Sequence, residues 1–197
     1  MSVPRLVALA ATLAILAVPA TASAATSTFD RLEIIAAADF RNLTEVCKDG
    51  RTVTSRVRIT GGHEEEAENG VTTRDRDYLR VQILSPCPET GIIQVTTNDA
   101  DFTWSSSLQT ASVVGEFTTT TGRTIAVDIA WEGTSPLRVN QNNTSFPGRS
   151  ATFVGRERDA VATGTVVLDG KTLVAGSTTN ALIESLDDHI VETPAGE

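Results

Sequence analysis

Aromatic side chains are scarce in this chain: two Trp, one Tyr and six Phe among 197 residues. Carbohydrate-binding faces ordinarily present several exposed aromatics, so the scarcity thins that reading without removing it. Cysteine is rarer still. Cys47 and Cys87 stand 40 positions apart, without the close spacing of a zinc or redox motif, and in an exported chain they are expected to form one disulfide. In the chain-entropy model a loop of that length contributes about 4 kcal/mol. Histidine is limited to His63 and His189, and no G-x-S-x-G elbow is present, so a Ser-His-Asp hydrolase has no recognisable frame. Basic residues are outnumbered, 16 against 25 acidic, and the formal charge of −9 repels nucleic acid and anionic lipid at long range. No cofactor motif is recognisable.

Long apolar runs are absent after the first residues. At the N-terminus, MSVPRLVALAATLAILAVPATASA joins Arg5, an apolar stretch from Leu6 to Val18 and the small triplet Ala22, Ser23, Ala24, the pattern of a secretory signal peptide cleaved after residue 24. The stretch is too short for a bilayer span, so a soluble, secreted protein without a membrane segment is expected. Residues 25–197 form one domain of ordinary size. Removing the signal takes away one basic residue and no acid, which leaves a formal charge of −10.

Within that domain apolar and polar residues alternate at period two. Val53, Val57 and Ile59 oppose Thr54, Arg56, Arg58 and Thr60; Leu79, Val81 and Ile83 oppose Tyr78, Arg80 and Gln82; Ile125, Val127, Ile129 and Trp131 oppose Ala126, Asp128 and Ala130. Each run reads as a strand with one wet face, and Trp131 as a core residue at a strand end. Turn signals fall at Asp49-Gly50, Gly61-Gly62, Asn69-Gly70, Thr121-Gly122 and Asp169-Gly170. The pattern predicts an all-β antiparallel sandwich of roughly 8–11 short strands, with a closed barrel as the alternative. A helical period is confined to the fragment Phe29 to Phe40. A hairpin is expected from strands near 51–60 and 78–85 across a loop at 61–74, with the disulfide clamping its open end.

Three clusters carry candidate chemistry. GGHEEEAENG, residues 61–70, sets His63, Glu64, Glu65 and Glu66 in a predicted loop, where carboxylates could hold calcium, although no D-x-D-x-D-G spacing organises them. Arg56, Arg58 and Arg80, with Arg76, gather beside Tyr78 on the wet face of the hairpin. They form a local basic patch suited to an acidic protein or a sulfated glycan, unless cross-strand acids neutralise it. Asp187-Asp188-His189 reads as an exposed turn. Acceptor motifs for N-glycosylation at Asn42, Asn142 and Asn143 read as chance matches in a chain of bacterial character.

The stretch TIAVDIAWEGTSPLRVNQNNTSFPG, followed by RDAVATGTVVLDGK, resembles a family of small secreted bacterial β-rich proteins. The likeness rests on the strand ending in Trp131, the step Pro136-Leu137-Arg138, the Asn-rich run and the strand Ala162 to Val166. It implies an exported β domain and brings no catalytic residue or ligand. A non-enzymatic binding or structural role is therefore the leading expectation. A secreted hydrolase with a cryptic carboxylate pair, or a barrel holding an apolar ligand, are the alternatives.

Overall fold

A computed structural model describes residues 25–193; the signal-like segment 1–24 lies outside the described residues. The described residues form ten antiparallel strands: β1 (Ser27–Val46), β2 (Thr52–Glu68), β3 (Val71–Leu84), β4 (Ile92–Thr97), β5 (Asp101–Trp104), β6 (Thr110–Thr118), β7 (Thr124–Gly133), β8 (Arg138–Phe146), β9 (Arg149–Leu168) and β10 (Lys171–Glu192). Half of them are longer than the short strands expected. The fragment Phe29–Phe40 is not helical: it lies in β1, where Ile34, Ala36, Ala38 and Phe40 alternate inward.

Hydrogen-bonded neighbours run β4-β3-β2-β1-β10-β9-β7-β6-β5, and β8 pairs with β9 beyond the end of β7. The sheet folds over, laying β5, β6 and β7 against β1, β2 and β3. Phe102 on β5 covers Gly61 on β2, where a Cβ would meet its ring at 2.9 Å. The Trp131 indole N–H, from β7, donates to the carbonyl of Ala37 on β1 at 3.0 Å. No ladder joins β4 to β5, so the sheet does not close and the barrel alternative fails. The space between the layers is filled by Trp131, Ile59, Leu79, Ile83, Ile125 and Ile129, each nearly or wholly excluded from solvent.

Four of the five turns read from the sequence are present, at Asp49-Gly50, Asn69-Gly70, Thr121-Gly122 and Asp169-Gly170. Asn69-Gly70 and Asp169-Gly170 have positive φ at both residues, as the mirror-image hairpin turn requires. Gly61-Gly62 is no turn. β2 continues through it to Glu68, and the expected loop at 61–74 contracts to Asn69-Gly70. The disulfide forms as expected: Cys47 and Cys87 are joined, both buried, with Cα atoms 5.3 Å apart at the open end of the β2–β3 hairpin.

A bulge in β1 divides the strand into two halves of opposite orientation. The register with β2 slips between Phe40 and Leu43, and Asn42 takes a positive φ of 56°. The slip reverses which side chains face inward. Even-numbered residues point to the core up to Phe40; after it Leu43, Glu45 and Cys47 do.

Candidate functional site

Residues opposite one another in register share a face. On the outer face, Asp39 of β1 lies across from Arg58 of β2. Arg56 donates to both carboxylate oxygens, with Nε at 2.6 Å; Arg41 from the bulge donates through Nε at 2.7 Å; Arg58 Nε lies 3.8 Å away. Three guanidinium groups thus share one carboxylate. The bond from Arg56 is the main cause holding Asp39 below the usual carboxylate range, against the opposing effect of burial, and Arg41 adds to it. Arg80, one row on and opposite Thr60, is exposed and has no acidic partner among the described residues.

These arginines border two depressions. One, of about 490 Å³, lies over Ala37, Thr60 and Leu182 and is walled by Arg41, Arg58 and Asn180. The bulge in β10 between Thr178 and Ala181 puts Asn180 there. The other, of about 560 Å³, is lined by Arg41, Arg56 and the exposed Ile92. Arg41 stands between the two. Of the predicted basic patch, Arg56, Arg58 and Arg80 are therefore brought to one region. Arg76 is drawn into a different network, and Arg41 and Asp39 were not foreseen.

The acidic cluster is split by strand alternation. GGHEEEAENG is not a loop, so His63 and Glu65 face inward while Glu64 and Glu66 face outward. Glu64 is nearly buried and accepts from Arg76 Nη2 at 2.7 Å and Arg74 Nη1 at 3.1 Å, with Arg31 3.5 Å away. Burial opposes its ionisation, yet Arg76 and Arg74 outweigh that and keep its pKa low. Glu66 is shared with Arg74. This set does not converge on one cation position. Among the described residues, Cys47, Cys87 and Glu89 come close enough to hold a metal, but both sulfurs are committed to the disulfide.

His63 serves packing. Its Nδ1 lies 2.8 Å from Asp77 Oδ1, and its ring centroid 4.6 Å from that of Trp104. Asp77 Oδ2 accepts the Phe102 N–H at 3.2 Å, which fastens β5 to β3. His189 is not in a turn either: it lies in β10, bonded to Asp30 across the ladder with β1.

Tyr78 lies over Gly62, where a Cβ would sit 2.3 Å from the ring, and its hydroxyl donates to Glu33 Oε1 at 3.3 Å. Burial, followed by the charge of Glu33, pushes its pKa up to about 12. In the same row, Glu184 of β10 faces Glu157 of β9 directly. Burial first, then the charges of Glu157 and Glu33, raise the Glu184 pKa. Glu157 is paired with Arg138 and Glu33 with Arg31, which leaves Glu184 as the member of this group without an ion pair among the described residues.

Glu45 gave no signal in sequence. The bulge turns it inward, where its side chain is 3% exposed and accepts from Lys171 Nζ at 2.7 Å, Ser85 Oγ at 2.6 Å and the Thr90 hydroxyl. It organises the 85–91 loop beside the disulfide. No helix among the described residues is long and apolar enough to cross a membrane.

Comparison of the chain with protein-family models, with curated proteins and with solved structures gave no match.

Proposed function

We propose that the protein is a secreted, non-enzymatic β domain that binds an anionic extracellular polymer, most simply an acidic glycan, across the arginine-bordered outer face of β1, β2 and β3. The observation that carries this reading is the convergence of Arg41, Arg56 and Arg58 on the single carboxylate of Asp39, with Arg80 nearby. A guanidinium in excess of its internal partners keeps donors free for carboxylate or sulfate groups. The two depressions flanking Arg41 supply room along an extended chain. That such a patch sits in a chain of formal charge −9 makes it a local exception to a surface that otherwise repels polyanions. The N-terminal signal pattern supports export, and the disulfide is compatible with it.

The test is retention of the purified, oxidised protein on heparin and polygalacturonate matrices, with neutral dextran as the reference. Retention that weakens with salt and is reduced in Arg58→Gln/Arg80→Gln supports the reading. Arg56 and Arg41 are left untouched because they hold Asp39. Elution together with the dextran reference, or equal retention of the double variant, sinks it.

The hydrolase alternative finds less support. Glu64 and Glu184 have pKa values pushed in opposite directions, but guanidinium groups occupy both oxygens of Glu64 and leave no free nucleophile or base there.

A further inference from the structure

Strand edges invite pairing with other chains unless charge, brevity or cover protects them. Among the described residues, three free edges are protected in these ways. β4 spans six residues and β5 four, and β5 is fastened to β3 through Asp77. The part of β3 beyond β4 carries Arg74, Asp75, Arg76 and Asp77 in succession. β8 is different. Among the described residues it has β9 as its sole ladder partner; it runs nine residues, is exposed at all but Thr144, and from Val139 to Phe146 contains no charge and no proline. Its other edge therefore offers main-chain N–H and C=O groups along an uncharged strand. Val139 and Phe146 add exposed apolar surface at 59% and 67%.

We propose that β8 is a self-association edge, on which β8 of a second copy of this chain adds antiparallel to extend the sheet across a two-fold axis. The occupant follows from self-complementarity. With the axis at Asn142, the facing pairs are Arg138 with Phe146, Val139 with Ser145, Asn140 with Thr144 and Gln141 with Asn143. No like charges meet, and amides and hydroxyls face one another along the interior of the pairing. Arg138 and Phe146 lie on the same face, so each end brings a guanidinium opposite an aromatic ring. A closed two-fold contact of this kind uses the edge up and stops at two copies. Pro136 and Pro147 bracket the strand and limit slippage of the register.

Sedimentation velocity of the purified, oxidised protein over a wide concentration range tests this, together with amide hydrogen exchange. A dimer that dissociates on dilution is expected, with β8 amides protected in the dimer alone. Asn142→Lys sets two like charges opposite each other at the axis and should raise the dimer dissociation constant about tenfold or more, with the thermal midpoint of the monomer unchanged. Should that variant fail to fold, Asn140→Lys/Thr144→Lys, whose residues face each other across the axis, reads the same edge. A protein monomeric at every concentration overturns the proposal. So does a dimer that both variants leave intact, since its seat would lie elsewhere.

Discussion

Lys171 Nζ lies 2.7 Å from Glu45 Oε1, across 126 positions of sequence, and ties the β9–β10 hairpin to the loop beside the disulfide. Removing one partner of a buried ion pair strands the other. The Lys171 side chain is 40% exposed, so the effect is smaller than in a fully enclosed pair. Lys171→Met should destabilise the fold by about 2 kcal/mol, measured as a fall in the urea midpoint at neutral pH. An unchanged midpoint would show the two hydroxyl donors to be sufficient.

The same carboxylate predicts acid sensitivity. Burial works to raise the Glu45 pKa, but Lys171, Ser85 and Thr90 overcome it and the folded value lies below the ordinary 4.5. An acid depressed in the folded state stabilises the fold above its unfolded pKa, and that contribution is lost as pH falls through the folded value. Asp39 and Glu64 act with the same sign. Stability should hold down to about pH 5 and decline below about pH 4, and Glu45→Gln should flatten that decline in urea titrations at stepped pH.

Glu184 predicts the opposite sign. Its pKa is raised by burial and by Glu157 and Glu33, so its ionisation works against folding as pH rises above 4.5. Like charges directly opposite on a sheet destabilise by a fraction of a kcal/mol. Glu184→Gln should raise stability by about 0.5 kcal/mol at neutral pH, and calorimetry should show the gain vanishing below the ordinary carboxylate range.

Tyr78 is the single tyrosine of the chain, so phenolate absorbance reports it alone. It should titrate near 12 in the folded protein. Gly62→Ala puts a methyl group 2.3 Å from the ring and displaces it from Glu33, which should bring the titration down towards the ordinary value near 10. A titration unmoved by the substitution would mean that Tyr78 does not depend on the bare glycine beneath it.

Cys47→Ser/Cys87→Ser opens the 40-residue loop. The expected loss is about 4 kcal/mol in the chain-entropy model, read as the difference in urea midpoint from the oxidised parent. A loss well below that would indicate that the Glu45 network holds the same segment on its own.

Strand alternation, the two Asn-Gly and Asp-Gly hairpins, the core placement of Trp131 and the disulfide were all legible in the sequence, because each depends on residues close together or on a count of two cysteines. The gathering of Arg56, Arg58 and Arg80 on one wet face was legible too, as a consequence of period two. Tertiary structure alone decided the rest. The acidic stretch at 61–68 reads as part of a loop because four carboxylates and two adjacent glycines disfavour a strand. It is a strand because Arg31, Arg74 and Arg76 on neighbouring strands neutralise its outer side and Phe102 and Tyr78 cover its glycines. The choice of sandwich over barrel rests on whether β4 meets β5, a long-range pairing that no local pattern encodes. Asp39 among its arginines, and Glu45 beneath Lys171, depend on a register slip at Asn42 that reverses the parity of β1. One inserted residue exchanges inside for outside, and only the paired strand reveals where that happens.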